Sequence, residues 1–207
     1  MKTYKAGIIF TIFLFCISFL LLSCDKNQIS TPEILIDKSV FLSEEPCSPP
    51  CFLGITPGES TESDVIRILI ENNIYENCRG FNKEEEGGFK GLNCGTQITI
   101  RYIKNKDLVK DVGFTPADKL VVSDVLQEFG VPEGVFVLGG TIHSDEVNLV
   151  LIYPKISTWI RLETQNEYPY LLEQSSRITR VIYGHEIDET DYSEWQGWME
   201  WHGFGKY

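Results

Sequence analysis

The residues best suited to acid–base or metal chemistry in this 207-residue sequence are its three histidines, His143, His185 and His202. None of them lies in an HxxxH or HExxH arrangement, and none has a cysteine at ligand spacing, so metal-assisted hydrolysis has no visible frame. No GxSxG elbow, SxxK pair or phosphate-cradling glycine loop is present, and Gly139-Gly140 beside Thr141 reads as a bulge or turn between strands. The acidic run Glu186, Asp188, Glu189 and Asp191 follows His185. A calcium loop would alternate its oxygens around a turn-forming glycine, which Asp188-Glu189-Thr190-Asp191 lacks, so this run reads as a solvated loop. No metal and no cofactor are expected.

The end of the chain is aromatic: Trp195, Trp198, Trp201 and Phe204 recur every three residues in SEWQGWMEWHGFGKY. Two readings stand. Exposed indoles would stack on sugar rings or anchor a protein partner. Alternatively, a one-sided turn would plug the open face of a sheet with large buried rings. Beside the acidic run, the first reading also admits a hydrolase acting on cell-wall or sugar polymers through paired carboxylates of residues 186–194.

At the other end, a basic start with Lys2 and Lys5 precedes the apolar run Gly7 to Leu22, the layout of a secretory signal rather than a lasting span. The run closes on Leu21-Leu22-Ser23-Cys24, which resembles the bacterial lipobox. That resemblance implies cleavage before Cys24, a diacylglycerol on its thiol and an acylated new N-terminus. Membership of the lipoproteins would place the chain outside the cytosol, held to the membrane through its N-terminal lipid; two or three acyl chains hold where one is marginal. The whole chain carries a net charge of −12, and loss of Lys2 and Lys5 with the signal would make the mature chain more acidic still. So acidic a surface repels phosphate backbones, which argues against nucleic acid and leaves an envelope protein or glycan as partner.

Of six cysteines, Cys16 belongs to the signal and Cys24 to the anchor, leaving Cys47, Cys51, Cys78 and Cys94. An even number in an exported chain points to two disulfides. Cys47–Cys51 with Cys78–Cys94 is the favoured pairing, and crossed pairings remain open. One CxxxC followed by two isolated cysteines lacks the paired CxxC knuckles of a zinc site.

Residues 1–23 therefore read as signal and 24–45 as anchor and tether, with two apolar clusters, Ile34-Leu35-Ile36 and Val40-Phe41-Leu42, able to lay one short strand on the domain. A first unit, 46–115, opens with the turn-forming PCSPPCFLGITPG. The cap-like Thr61-Glu62-Ser63-Asp64 predicts a helix over 61–72 that buries Val65, Ile68 and Leu69. NKEEEGG at 82–88 reads as a charged loop. Ile98, Ile100 and Tyr102 alternate with Thr99 and Arg101, and Leu108, Val112 and Phe114 alternate with Val109, Asp111 and Gly113 beyond a turn at 104–107, which predicts a hairpin. A second unit, 116–207, repeats the signals. Thr115-Pro116 leads to Ser123-Asp124-Val125 as Thr56-Pro57 leads to Ser63-Asp64-Val65, with one residue inserted between turn and cap. A helix carrying Leu120, Val121, Val125, Leu126 and Phe129 stops at Gly130 and Pro132. Strands are predicted at 134–142, 147–153, 157–163 and 178–183, the second apolar on both faces and hence central.

The predicted fold is α+β: an antiparallel sheet with two helices on one face, in a possible tandem helix-plus-strands repeat. Gly58-Glu59-Ser60-Thr61-Glu62-Ser63-Asp64-Val65 and Phe129-Gly130-Val131-Pro132 resemble the helix-plus-sheet module of the outer-membrane-assembly lipoproteins and of the β-lactamase-inhibitor proteins. PCSPPCFLGITPGES is similar to uncharacterised lipoproteins that open with Pro-Cys…Pro-Cys-aromatic-x-Gly-Ile-x-Pro-Gly. The functional expectation is a non-enzymatic, membrane-anchored binding or envelope-associated module; a spacer without a specific ligand is a further possibility.

Overall fold

Thr61 begins the first helix as the sequence predicts. Its hydroxyl accepts from the Asp64 backbone N–H at 3.2 Å, and the Asp64 carboxylate accepts from the Thr61 N–H at 3.0 Å, closing a capping box. The Thr61 hydroxyl, which donates to the Asp64 carboxylate at 2.7 Å, and then the Thr61 N–H hold the Asp64 carboxyl below its ordinary value. Helix α1 runs Glu62–Glu71 and buries Val65, Ile68 and Leu69. The computed structural model describes residues 36, 41, 47–83, 89–103, 105–117, 119–141, 144–166, 168–184 and 197–207. Residues 1–23, read above as a signal, Cys24 and the acidic run lie outside these.

After α1 come β1 (Cys78–Lys83), β2 (Phe89–Cys94), β3 (Ile98–Tyr102) and β4 (Val109–Phe114). Helix α2 (Val122–Phe129) follows, then β5 (Gly134–Thr141), β6 (Ser144–Tyr153), β7 (Thr158–Gln165), β8 (Leu171–Leu172), β9 (Ile178–Gly184), β10 (Trp198–Glu200) and β11 (Gly205–Lys206). Nine strands form one sheet in the order β1-β2-β3-β4-β9-β7-β6-β5-β10, while β8 pairs with β11 separately. Every neighbouring pair is antiparallel. The fold is α+β.

The two units join at β4 and β9, so the sheet reads outward as the same meander in both directions, β4-β3-β2-β1 one way and β9-β7-β6-β5 the other. The likeness extends to single bonds. In the first unit Glu62 N–H donates to the Asp107 carbonyl and Val109 N–H to that of Ser60, each at 2.9 Å. In the second, Val122 N–H donates to the Ser176 carbonyl at 3.0 Å and Ile178 N–H to that of Leu120 at 2.9 Å. The register also shifts at matching places, between Arg101 and Tyr102 on β3 and between Arg161 and Leu162 on β7. Glu62 thus corresponds to Val122, Arg101 to Arg161 and Val109 to Ile178. The second helix keeps only half of the capping box, because Val121 carries no side-chain oxygen. Its N–H still donates to the Asp124 carboxylate at 3.1 Å.

One core serves both units. Val65, Leu69, Val122 and Val125 from the helices pack with Ile100, Phe114, Leu149, Ile160, Val181 and Tyr183 from one face of the sheet. Ile36 and Phe41, within the stretch read as tether, also belong to this core at 4% and 1% exposure. Phe41 meets Phe114 and Phe129 edge-on. Their apolar side chains gain more from burial than an extended spacer could return.

Several local readings need correction. Asn82 and Lys83, assigned to a loop, are the last residues of β1, while 84–88 lie outside the described residues. Both β1 and β2 escape the alternation test because Arg79, Gly80, Gly91 and Asn93 give them no apolar stripe. On β4, Val109 rather than Leu108 turns into the core, because the register shift lets Val109 face Tyr102. Leu120 and Val121, read as part of the second helix, precede it, since α2 begins at Val122, and β6 begins at Ser144 rather than 147. At two further points the reading and the fold agree: the register shifts between Gly139 and Thr141, and β6 lies inside the sheet. The cysteines pair as Cys47–Cys51 and Cys78–Cys94, the latter directly opposite each other on β1 and β2.

Candidate functional site

The helices and core occupy one face of the sheet. On the other face the register brings together side chains that the linear sequence scatters. Gly113 of β4 faces Ile182 of β9, Ile182 faces Trp159 of β7, Trp159 faces Ile152 of β6, and Ile152 faces Gly134 of β5. A second row runs Arg180, Arg161, Val150, Phe136 and Trp198. Arg101 and Asp111 face each other on the far side of the first row.

Planar groups lie flat on this face where glycine leaves room for them. The Arg180 guanidinium covers Gly113, where an added Cβ would stand 2.8 Å from Nη2. The Trp198 indole covers Gly134, where an added Cβ would overlap the ring. Between these covers is a cavity of about 230 Å³. Its walls are apolar, from Phe136, Leu138, Val150, Ile152, Trp159 and Ile182, and Arg101 and Arg161 border it.

The electrostatics of the border are uneven. Arg101 Nε donates to Asp111 Oδ1 at 2.7 Å, and the Asp111 side chain is 8% exposed. The equivalent pair in the second unit is Arg161 opposite Arg180, two like charges across one strand pair. Among the described residues, the buried Arg161 Nε has no hydrogen-bond partner, and Arg180 reaches the Gly113 carbonyl alone, at 3.5 Å. Burial lowers the affinity of Arg161 for its proton. Burial does the same for Arg180, assisted by the charges of Arg161 and Arg101 and opposed by Asp111. Guanidinium groups keep their proton throughout the accessible pH range, so these shifts register first the burial of both groups and, at Arg180, the positive charges beside it.

The aromatic tail does not gather on one side. Trp195 lies outside the described residues. Trp198 lies on the cavity face, opposite Phe136. Met199 and Trp201 turn the other way and pack against the core, and Trp201 meets the 40%-exposed Phe204 edge-on at 5.7 Å. His202 stacks on Tyr207 at 4.1 Å. His143, His185 and the carboxylates of residues 186–194 lie outside the described residues, as does Cys24. Among the described residues, no group of three or more His, Cys, Asp or Glu side chains could hold a metal ion, and no helix is long and apolar enough to cross a membrane.

The residues that sequence reasoning misses are Arg101, Arg161, Arg180, Trp159 and Phe136. A signal for them exists. The shift that carries Ser63 onto Ser123 also carries Arg101 onto Arg161, and within 157–163 Trp159 and Arg161 alternate with Ile160 and Leu162. Comparison with protein-family models, curated proteins and solved structures returns no match.

Proposed function

We propose that the chain is an exported lipoprotein, anchored through Cys24, that works as a non-enzymatic binding module facing the extracytoplasmic side. The observation that carries the binding reading is the amphipathic face of the sheet, an apolar cavity bordered by guanidinium groups in a chain of net charge −12. Cavities of this composition, with a few convergent polar groups, are where proteins hold ligands. The disulfides Cys47–Cys51 and Cys78–Cys94 suit an oxidising compartment. The lipobox-like Leu21-Leu22-Ser23-Cys24 and the likeness of PCSPPCFLGITPGES to lipoprotein openings support the same location. Helices and core pack on the opposite face of the sheet, and the cavity face serves an envelope partner, protein or glycan, as a platform rather than as a catalyst.

Anchoring is tested by feeding a bacterial expression host an alkynyl fatty acid and fractionating the cells. The expected result is a labelled wild-type chain in the membrane fraction and an unlabelled Cys24→Ser chain. Unlabelled wild-type protein recovered from the medium would overturn the proposal.

A further inference from the structure

We infer that the cavity face holds a small organic acid, with the carboxylate on Arg161 and its aromatic or branched apolar group against Trp159, Phe136 and Val150. This deepens the binding reading given above and rests on it.

The difference between the two units points to the acid group. Position for position, Arg101 corresponds to Arg161 and Asp111 to Arg180, and each pair sits beside a register shift in its own unit. In the first unit the arginine has a carboxylate across the strand. In the second that place holds another arginine, and neither strand neighbour of Arg161, Arg180 or Val150, offers it a carboxylate. Two like charges placed directly opposite on a sheet oppose folding, and a buried guanidinium nitrogen without an acceptor adds to that cost. A ligand carboxylate in the cavity that Arg161 borders supplies the second unit with the negative charge that Asp111 gives the first. Guanidinium is suited to this, since its planar fork matches carboxylate geometry.

The rest of the cavity selects among anions. Its six apolar walls give a bare inorganic ion nothing to bury, whereas an apolar group gains free energy for each Å² it covers. A cavity of about 230 Å³ is smaller than the ~300 Å³ at the low end for drug-sized ligands. The guest is therefore a single ring or one branched chain bearing its acid group. The two units thus divide the labour: one is neutralised within the chain, and the other is left for a ligand to neutralise.

The test uses the full-length chain in detergent, with benzoate, benzamide and inorganic phosphate as probes, each titrated by saturation-transfer NMR. The expected result is saturable benzoate binding to the wild type, with benzamide and phosphate each at least tenfold weaker. Arg161→Gln and Arg180→Asp are each expected to weaken benzoate at least tenfold while unfolding cooperatively. Arg180→Asp reproduces the Arg101–Asp111 arrangement in the second unit, so it removes the need for a ligand without deleting the fold's own contacts to Arg161. Absence of saturable benzoate binding to the wild type overturns the inference. So does benzamide or phosphate binding within tenfold of benzoate, or a loss below tenfold in either variant. Fatty-acid labelling of Cys24 is scored separately, so a labelled chain that fails to bind benzoate sinks this inference alone.

Discussion

Phe114→Ala is expected to cost about 3–5 kcal/mol, among the largest losses available to a single substitution in this chain. Phe114 is fully buried at the last position of β4, where the two units meet. Its ring stacks on Phe52 at 4.5 Å and meets Tyr183 at 5.5 Å and Phe41 at 6.0 Å, both edge-on. Truncation removes the transfer free energy of the ring and leaves a void between elements too far apart in sequence to collapse together. The aromatic pairs add about 0.5–1.5 kcal/mol each beyond their burial. Urea denaturation followed by far-UV circular dichroism measures the loss. Phe114→Leu should recover more than half of it, and a cost below about 1 kcal/mol for alanine would mean that the two units do not share their core.

Removing the Cys78–Cys94 disulfide as Cys78→Ala/Cys94→Ala is expected to cost about 3 kcal/mol in the chain-entropy model, because the bond closes a loop of 16 residues. Cys47–Cys51 closes only 4, and its removal is expected to cost about 2 kcal/mol by the same relation. The longer bond also ties down an edge: β1 pairs only with β2 in the sheet order, and its Arg79 and Gly80 are exposed. An edge strand with so little apolar surface depends on the cross-link for its place. Thermal midpoints of the two double variants and of the wild type rank the bonds, with the Cys78/Cys94 variant lowest. The reverse order would show that the Pro-rich turn, not the hairpin, is the stapled weak point.

How much of the fold is legible in the sequence depends on how local each signal is. Thr61 and Asp64 lie three positions apart and announce α1 by themselves. The β3–β4 hairpin is legible for a similar reason, since Ile98, Ile100 and Tyr102 alternate cleanly. The buried Ile36 and Phe41 read as tether because their destination, the core that also holds Phe114, depends on contacts far along the chain. Strands β1 and β2 go undetected because glycine and polar residues occupy positions that an alternation test needs to be apolar. The site escapes for a different reason. Arg101, Arg161 and Arg180 come from three strands and converge only through register, and single arginines in strands look like ordinary solvated positions. The tryptophans draw attention by their spacing of three, yet Trp198 and Trp201 face opposite sides, in keeping with the two-residue alternation of an extended strand.

In this fold the second unit carries the positive charge which the first unit neutralises. That asymmetry can be tested without any ligand by comparing Arg180→Asp with Arg180→Asn, two side chains of nearly the same shape that differ in charge. The measurement is the thermal midpoint at low ionic strength. The introduced carboxylate would face Arg161 as Asp111 faces Arg101, so the Asp variant is expected to be more stable than the Asn variant by up to about 1 kcal/mol, or roughly 2–4 °C for a domain of this size. Added salt should shrink that gap. Equal midpoints, or a lower one for the Asp variant, would contradict an uncompensated arginine pair at the centre of the sheet.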